Sequence, residues 1–179
     1  AHERQMKIPS FNEANLEQCY RELEGNKALG VDGISKEEYG KELNRNVDGL
    51  VERLKRFSYR PQSVRRVLIP KGDGKMRPLG ISCVEDKLVQ RMGAKILEAI
   101  YEQDFLGCSY GFRPSRGCHD AVRDAYQHLH WGKVRWVVDI DIQAYFDTID
   151  HEWLMRCLQE RIADQKFLRL IRRMLKAGV

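Results

Sequence analysis

Apolar side chains recur along this chain at two different periods, and the change of period marks out its elements. Over residues 12–24, Leu16, Cys19, Tyr20 and Leu23 fall on one side of a short helix. Ser35-Lys-Glu-Glu38 reads as a capping box, with Ile34 and Tyr39 placed as its hydrophobic staple. The helix it opens carries Tyr39, Leu43, Val47, Leu50, Val51, Leu54 and Phe57 and must end before Pro61. Two apolar-basic runs, Val64–Pro70 and Met76–Ile81, flank Lys71-Gly-Asp-Gly-Lys75, where Asp73-Gly74 predicts a β-hairpin. A longer helix from about Glu85 to Tyr101 puts Leu88, Val89, Met92, Ile96, Leu97 and Ile100 on its buried side. Gly107–Gly117 is irregular and aromatic, and a further helix covers about His119 to His130. Asp150 can cap a helix beginning near Glu152, and a last helix occupies about 165–176.

Between these helices the period drops to two. Residues 134–142 read Val-Arg-Trp-Val-Val-Asp-Ile-Asp-Ile, which predicts a strand. One face carries Val134, Trp136, Val138, Ile140 and Ile142, apolar throughout and suited to a core. The other carries Arg135, Val137, Asp139 and Asp141, so two carboxylates stack at the end of the strand. Helices with a few strands make an α+β pattern.

At 179 residues, 42% of them hydrophobic, the chain can bury a real core as one domain or two small lobes. The net charge of +5 is modest, but it is concentrated. Residues 60–77 hold Arg60, Arg65, Arg66, Lys71, Lys75 and Arg77 against Asp73 alone, leaving the remainder close to neutral. Such a patch calls for a polyanionic partner. The five cysteines show no Cys-x-x-Cys spacing, which argues against a zinc or disulfide framework and for a reduced compartment. No apolar run approaches membrane-spanning length, and the first residues carry no signal-peptide pattern.

Three constellations carry candidate chemistry. The basic hairpin places long cations on both arms and near the tip of a ribbon, where Lys offers phosphate a point charge and Arg a bidentate fork. The same residues would also serve simply to protect a sheet edge. Ser109-Tyr-Gly-Phe-Arg113-Pro-Ser-Arg116-Gly117 interleaves aromatics with arginines, as base stacking and backbone gripping require, or as a loop pinned by its own rings requires. His119 and Asp120 follow at a helix start, where Asp120 can complement the dipole. Asp139 and Asp141, followed by Tyr145-Phe146-Asp147, suit Mg²⁺, a hard cation that also takes phosphate oxygens. Alternatively Asp139 pairs with Arg135, while Asp147 and Asp150 are turn and cap residues. His128 and His130 share no metal-ligand spacing and read as structural.

Four segments in order resemble one family, the bacterial group II intron reverse transcriptases (maturases), over nearly the whole chain from about residue 15. Ala28-Leu-Gly-Val-Asp32-Gly-Ile is similar to its N-terminal motif. Ile69-Pro-Lys71-Gly-Asp-Gly-Lys75-Met-Arg77-Pro-Leu-Gly-Ile81, continuing through Glu85-Asp86-Lys-Leu-Val-Gln90, resembles its fingers motif. Tyr110-Gly-Phe-Arg113-Pro-Ser-Arg116-Gly-Cys-His119-Asp120-Ala resembles the next, and Asp141-Ile-Gln-Ala-Tyr145-Phe146-Asp147-Thr-Ile-Asp150-His151 the palm motif with its first catalytic aspartate.

The resemblance implies an RNA-directed DNA polymerase using Mg²⁺, with intron RNA as template, a DNA primer and dNTPs, in the bacterial cytoplasm. Asp141 would be the catalytic carboxylate holding metal, with the backbone carbonyl of Ile142 beside it. Lys71 and Arg77, with Arg65, would hold the dNTP triphosphate. Tyr145 would lie under the sugar, with Phe146 its neighbour, and Arg113 and Arg116 would contact template RNA. It also implies an N-terminal extension and fingers with the basic hairpin over 1–80, fingers and palm helices with the template loop over 81–132, and a partial palm over 133–179. The family's second palm motif, aromatic-x-Asp-Asp, does not occur in this sequence, so the chain is expected to be a fragment that is inactive alone. The rival expectation is a non-catalytic intron RNA-binding module that assists splicing. Uncovered apolar surface on Trp136, Val138 and Ile140, and on Phe167, Leu168, Ile171 and Leu175 of the last helix, would promote self-association.

Overall fold

The computed structural model describes residues 11–25, 27–70, 72 and 74–178. Helix α1 spans Glu13–Glu22, opened by Asn12, whose side chain accepts the Asn15 N–H at 2.8 Å. Ser35 likewise accepts the Glu38 N–H at 3.0 Å to open α2, Lys36–Gly40. The continuous helix expected from Ser35 to Phe57 is in fact two. The α2 turn closes with the Lys41 N–H on Glu38 O, and α3 restarts over Leu43–Lys55. Asn46 Nδ2 donates to Tyr39 O at 2.9 Å, so a carbonyl left over by the break is satisfied from the next helix. Apolar periodicity runs through such a break because both helices turn the same face to the core: Tyr39, Val47, Leu50 and Val51 are all buried. The second helix stops where Phe57 enters the left-handed region at φ 57°.

The hairpin forms as the sequence predicts. Strands β1 (Arg65–Pro70) and β2 (Met76–Ile81) pair antiparallel, in register from Arg65 opposite Ile81 to Pro70 opposite Met76. Gly74, at φ +79°, supplies the left-handed residue the turn needs, while Asp73 lies outside the described residues. Helix α4 (Val84–Tyr101) follows, and its buried Leu88, Val89, Met92 and Ile96 join the α1–α3 residues in one core. Helix α5 covers Cys118–Trp131, α6 Tyr145–Thr148, α7 His151–Arg161 and α8 Gln165–Lys176. None of the α-helices of the described residues is long and apolar enough to cross a membrane.

The chain divides into two compact units, one holding the described residues up to Ile96 together with His151 onward, the other Leu97–Asp150. In the first unit α1 and α2 lie against α3, and α7 against α8. Asp86, almost fully buried, accepts from Tyr59 Oη at 2.5 Å and from the Gln62 N–H at 3.0 Å. Arg173 of α8 donates to the Phe57 and Tyr59 carbonyls at 2.7 and 2.8 Å. The segment entering β1 is therefore gripped from both α4 and α8.

Two expectations need correction. Residues 134–142 belong to no strand, and Trp136, Val138 and Ile140 are 88%, 78% and 82% exposed. A strand must share its backbone hydrogen bonds with a neighbour, and the two described strands are paired to each other. The last helix departs the opposite way: Phe167, Leu168 and Ile171 are buried, since α7 packs against α8 and the Phe11 ring meets Phe167 at 6.3 Å.

Candidate nucleic-acid interface

In the first unit the hairpin presents its cations in a defined order. Directly paired residues of an antiparallel ribbon share a face, so Arg65, Val67 and Ile69 lie with Ile81, Leu79 and Arg77. Arg65 and Arg77 thus stand on one face near opposite ends, four residues or about 14 Å apart along the strand. Arg66 stands on the other face. Both arms are largely exposed, as a surface for phosphates must be. Lys71, expected to hold a triphosphate, lies outside the described residues.

The base of the ribbon is anchored. Arg65 Nε donates to Leu29 O at 2.8 Å, tying β1 to the loop that carries Ala28–Ile34. That loop packs closely: a Cβ on Gly30 would stand 2.7 Å from Cys83 Cα, so only glycine fits. A groove of about 740 Å³ opens beside it, lined by Lys27, Leu29, Lys36, Lys87 and Arg91 together with Glu22 and Glu24. Its mixture of charges distinguishes it from the ribbon.

In the second unit the segment before α5 is organised by Arg113. Its guanidinium meets Glu102 at 2.7 Å, donates to Leu106 O and Ser109 O at 2.8 and 2.9 Å, and lies 5.2 Å from the Phe105 ring centroid. Its side chain is only 6% exposed, and in return it holds the Glu102 carboxyl below the usual carboxylate range. In this arrangement Arg113 shapes the loop from within. Arg116 donates to Gly107 O and lies 5.6 Å from the Tyr110 ring centroid. The residue the loop offers outward is Phe112, fully exposed with a left-handed backbone at φ 55°. In the sequence Phe112 is one ring among several; that it is the ring turned outward follows from the contacts that commit its neighbour Arg113 to internal carbonyls. Asp120 accepts the Gly117 N–H at 3.0 Å and pairs with Arg123, the helix-start role.

Asp139, Asp141 and Ile142 lie on the exposed segment that enters α6. The chain reverses at Ala144, a non-glycine residue at φ 48°, and Thr148 Oγ1 donates back to Ala144 O at 3.0 Å. The turn sets Tyr145 and Phe146 side by side, ring centroids 5.5 Å apart and edge to face, with Phe146 the more exposed. Among the described residues no group of three or more Asp, Glu, His or Cys converges as metal ligands would. One carboxylate and a backbone carbonyl do not make a Mg²⁺ site, which takes several oxygen ligands in near-octahedral order. The residues present therefore do not fit the ion by themselves.

Residues 69–179, from the hairpin through α8, match the family model described as reverse transcriptase (RNA-dependent DNA polymerase). The chain belongs to the reverse transcriptase family. It is 41% identical over 152 residues to Protein YkfC of Escherichia coli (strain K12), covering 83% of this chain and 40% of that protein. It is 40% identical over 161 residues to the group II intron-encoded protein LtrA of Lactococcus lactis subsp. cremoris, covering 89% of this chain and 26% of that one. Nuclear intron maturase 1, mitochondrial, of Arabidopsis thaliana is 33% identical over 92 residues, 51% of this chain and 13% of that protein. The chain accordingly stands among the group II intron reverse transcriptases and maturases, and spans less than half the length of these relatives.

Proposed function

We propose that the protein acts as an RNA-directed DNA polymerase on intron RNA, this chain supplying the ribbon that meets the incoming nucleotide and the segment bearing the first catalytic carboxylate. The observation that supports this reading best is the placement of Arg65 and Arg77 on one face of an exposed ribbon with a braced base. Cations so held can meet the phosphates of a nucleotide without first ordering their own backbone. Lys71 would add a third charge at the tip. Asp141 would contribute one carboxylate to a divalent-metal centre completed by residues other than those described, and Tyr145 would lie against the sugar with Phe146 beside it. Phe112 would stack on a template base, while Arg116 would meet the backbone and Arg113 would hold the loop in shape.

A second reading, an intron RNA-binding maturase without polymerase chemistry, is favoured by the lack of a converging ligand set among the described residues. Primer extension on an RNA template with dNTPs and Mg²⁺ separates the two. Residues 1–179 alone are expected to give no extension. The complete gene product is expected to extend, and its Asp141→Asn variant to fail while remaining folded, because Asn keeps the shape and loses the charge. Unimpaired extension by Asp141→Asn would remove the catalytic assignment. Intron RNA binding by a complete product that never extends a primer would favour the maturase reading.

A further inference from the structure

Helix α8 divides sharply into two faces. Phe167, Leu168 and Ile171 are buried, while Lys166, Arg169, Arg172, Arg173 and Lys176 fall on the opposite arc. The helix itself contains no acidic residue, and Asp164 at its start is occupied in accepting the Lys166 and Phe167 N–H groups at 2.8 and 3.2 Å. Among the described residues, none of these cations is paired with a carboxylate. Elsewhere in the same unit exposed cations do have such partners: Arg53 with Glu85, Arg21 with Glu17, and Arg45 with Glu42. Packing gives a reason for the helix but none for its charge.

Several of these cations are held in place. Phe57 lies 5.7 Å from Lys166 Nζ and 5.4 Å from the Arg169 guanidinium carbon, measured to the ring centroid. Arg173 is fixed by its bonds to the Phe57 and Tyr59 carbonyls. Arg172 and Lys176 extend the row, and a groove of about 460 Å³ runs along it, lined by the neutral Gln159 and Gln165 with Arg169, Arg172, Arg173 and Lys176. From Lys166 to Lys176 the row covers ten residues of helix, about 15 Å.

We infer that the cationic face of α8 is a second nucleic-acid surface, separate in sequence from the hairpin, which takes the phosphate backbone of single-stranded RNA. A linear array of positive charge without acidic neighbours complements a linear polyanion. The pre-ordered heads lower the entropy lost on binding. The glutamines can hydrogen-bond to sugar or phosphate without repelling it. This inference rests on the reading of the protein as an RNA-binding one and adds a surface to it.

The test measures binding of residues 1–179 to a fluorescein-labelled 20-nucleotide poly(U) RNA by anisotropy from 50 to 300 mM KCl. Three variants are compared: Lys166→Gln/Arg169→Gln/Arg172→Gln/Lys176→Gln, the milder Arg172→Gln/Lys176→Gln, and the hairpin pair Arg66→Gln/Arg77→Gln. Each single-strand phosphate contact contributes about −0.7 to the salt slope. The fourfold variant should therefore flatten the slope by about 2 to 3 and weaken binding roughly tenfold or more at 150 mM. The milder variant, whose two side chains make no internal bonds among the described residues, should produce about half the change in slope even if the fourfold variant unfolds. Loss of binding in the hairpin pair with none in the milder α8 variant overturns this inference and leaves the reading of the hairpin standing. No binding by the unaltered chain overturns both. Polyglutamate of matched charge displacing the RNA as well as poly(U) does would reassign the face to an acidic protein partner.

Discussion

Of the two compact units, the one whose sequence is richer in hydrophobic residues, Leu97–Asp150, is the one that buries fewer of them. Of the buried hydrophobic side chains among the described residues, Ile100 alone belongs to the second unit; the rest, from Leu16 to Ile171, belong to the first. Yet the second unit contains Val122, Tyr126, Leu129, Trp131 and the run from Val134 to Ile142, most of them more than half exposed. The lesson is that apolar pattern specifies what can be buried, while burial itself needs a facing surface. In the first unit α1, α3 and α4 supply one another's cover. In the second, helix α5 buries no residue, and local hydrogen bonding centred on Arg113 provides the order.

If that contrast holds, truncation should be costly in one unit and nearly silent in the other. Leu88→Ala in the first core is expected to cost about 2–5 kcal/mol by urea unfolding. Ile140→Ala should stay within about 0.5 kcal/mol. Comparable costs would mean that the exposed segment is covered in solution. Asp86→Ala comes next, at about 1–3 kcal/mol, because it strands the buried Tyr59 hydroxyl and the Gln62 N–H. Since those groups anchor the chain entering β1, hydrogen exchange should accelerate across Arg65–Ile81 and remain unchanged over Cys118–Trp131.

Removing the α8 cap with Asp164→Ala should cost about 1 kcal/mol, a loss visible only because α8 belongs to the packed unit. Acid should act more gently and in both units. Hydrogen bonding from Lys95 holds the Glu22 carboxyl down at about 2. Its contribution is fully present above the ordinary glutamate value of about 4.3 and is lost as the pH falls from there toward 2. Glu22→Gln should flatten the pH dependence of the urea midpoint in that window. Glu102, lowered by Arg113, has the same sign, but its titration should loosen the loop from Gly107 to Gly117 with little effect on the midpoint. A large shift of the midpoint in Glu102→Gln would show that the second unit unfolds together with the first.

Self-association sharpens the contrast further. Because α8 buries Phe167, Leu168 and Ile171, the exposed one of the two surfaces expected to promote it is that of Trp136, Val138 and Ile140. Trp136→Ser/Ile140→Ser should shift sedimentation at high concentration toward the monomer, whereas Leu175→Ser should not. The reverse outcome would return the sticky surface to α8.

Much of this was legible in the chain because it depends on neighbours in sequence. The cap at Ser35, the ribbon around Gly74, the length of α4 and the bounds of α8 follow from hydrogen bonds and periodicities spanning a few residues, and the order of motifs from Ala28 to His151 identifies the family. What the order of residues could not reveal was set by partners distant along the chain. The break at Gly40 is sustained by Asn46, and Arg113 is turned into its own loop by Glu102, eleven residues earlier. Arg173 reaches back across more than a hundred residues to the Phe57 and Tyr59 carbonyls. The run from Val134 to Ile142 shows the limit most clearly: its alternation is a property of sequence, but a strand is a property of two segments, and the free energy that makes one comes from the second.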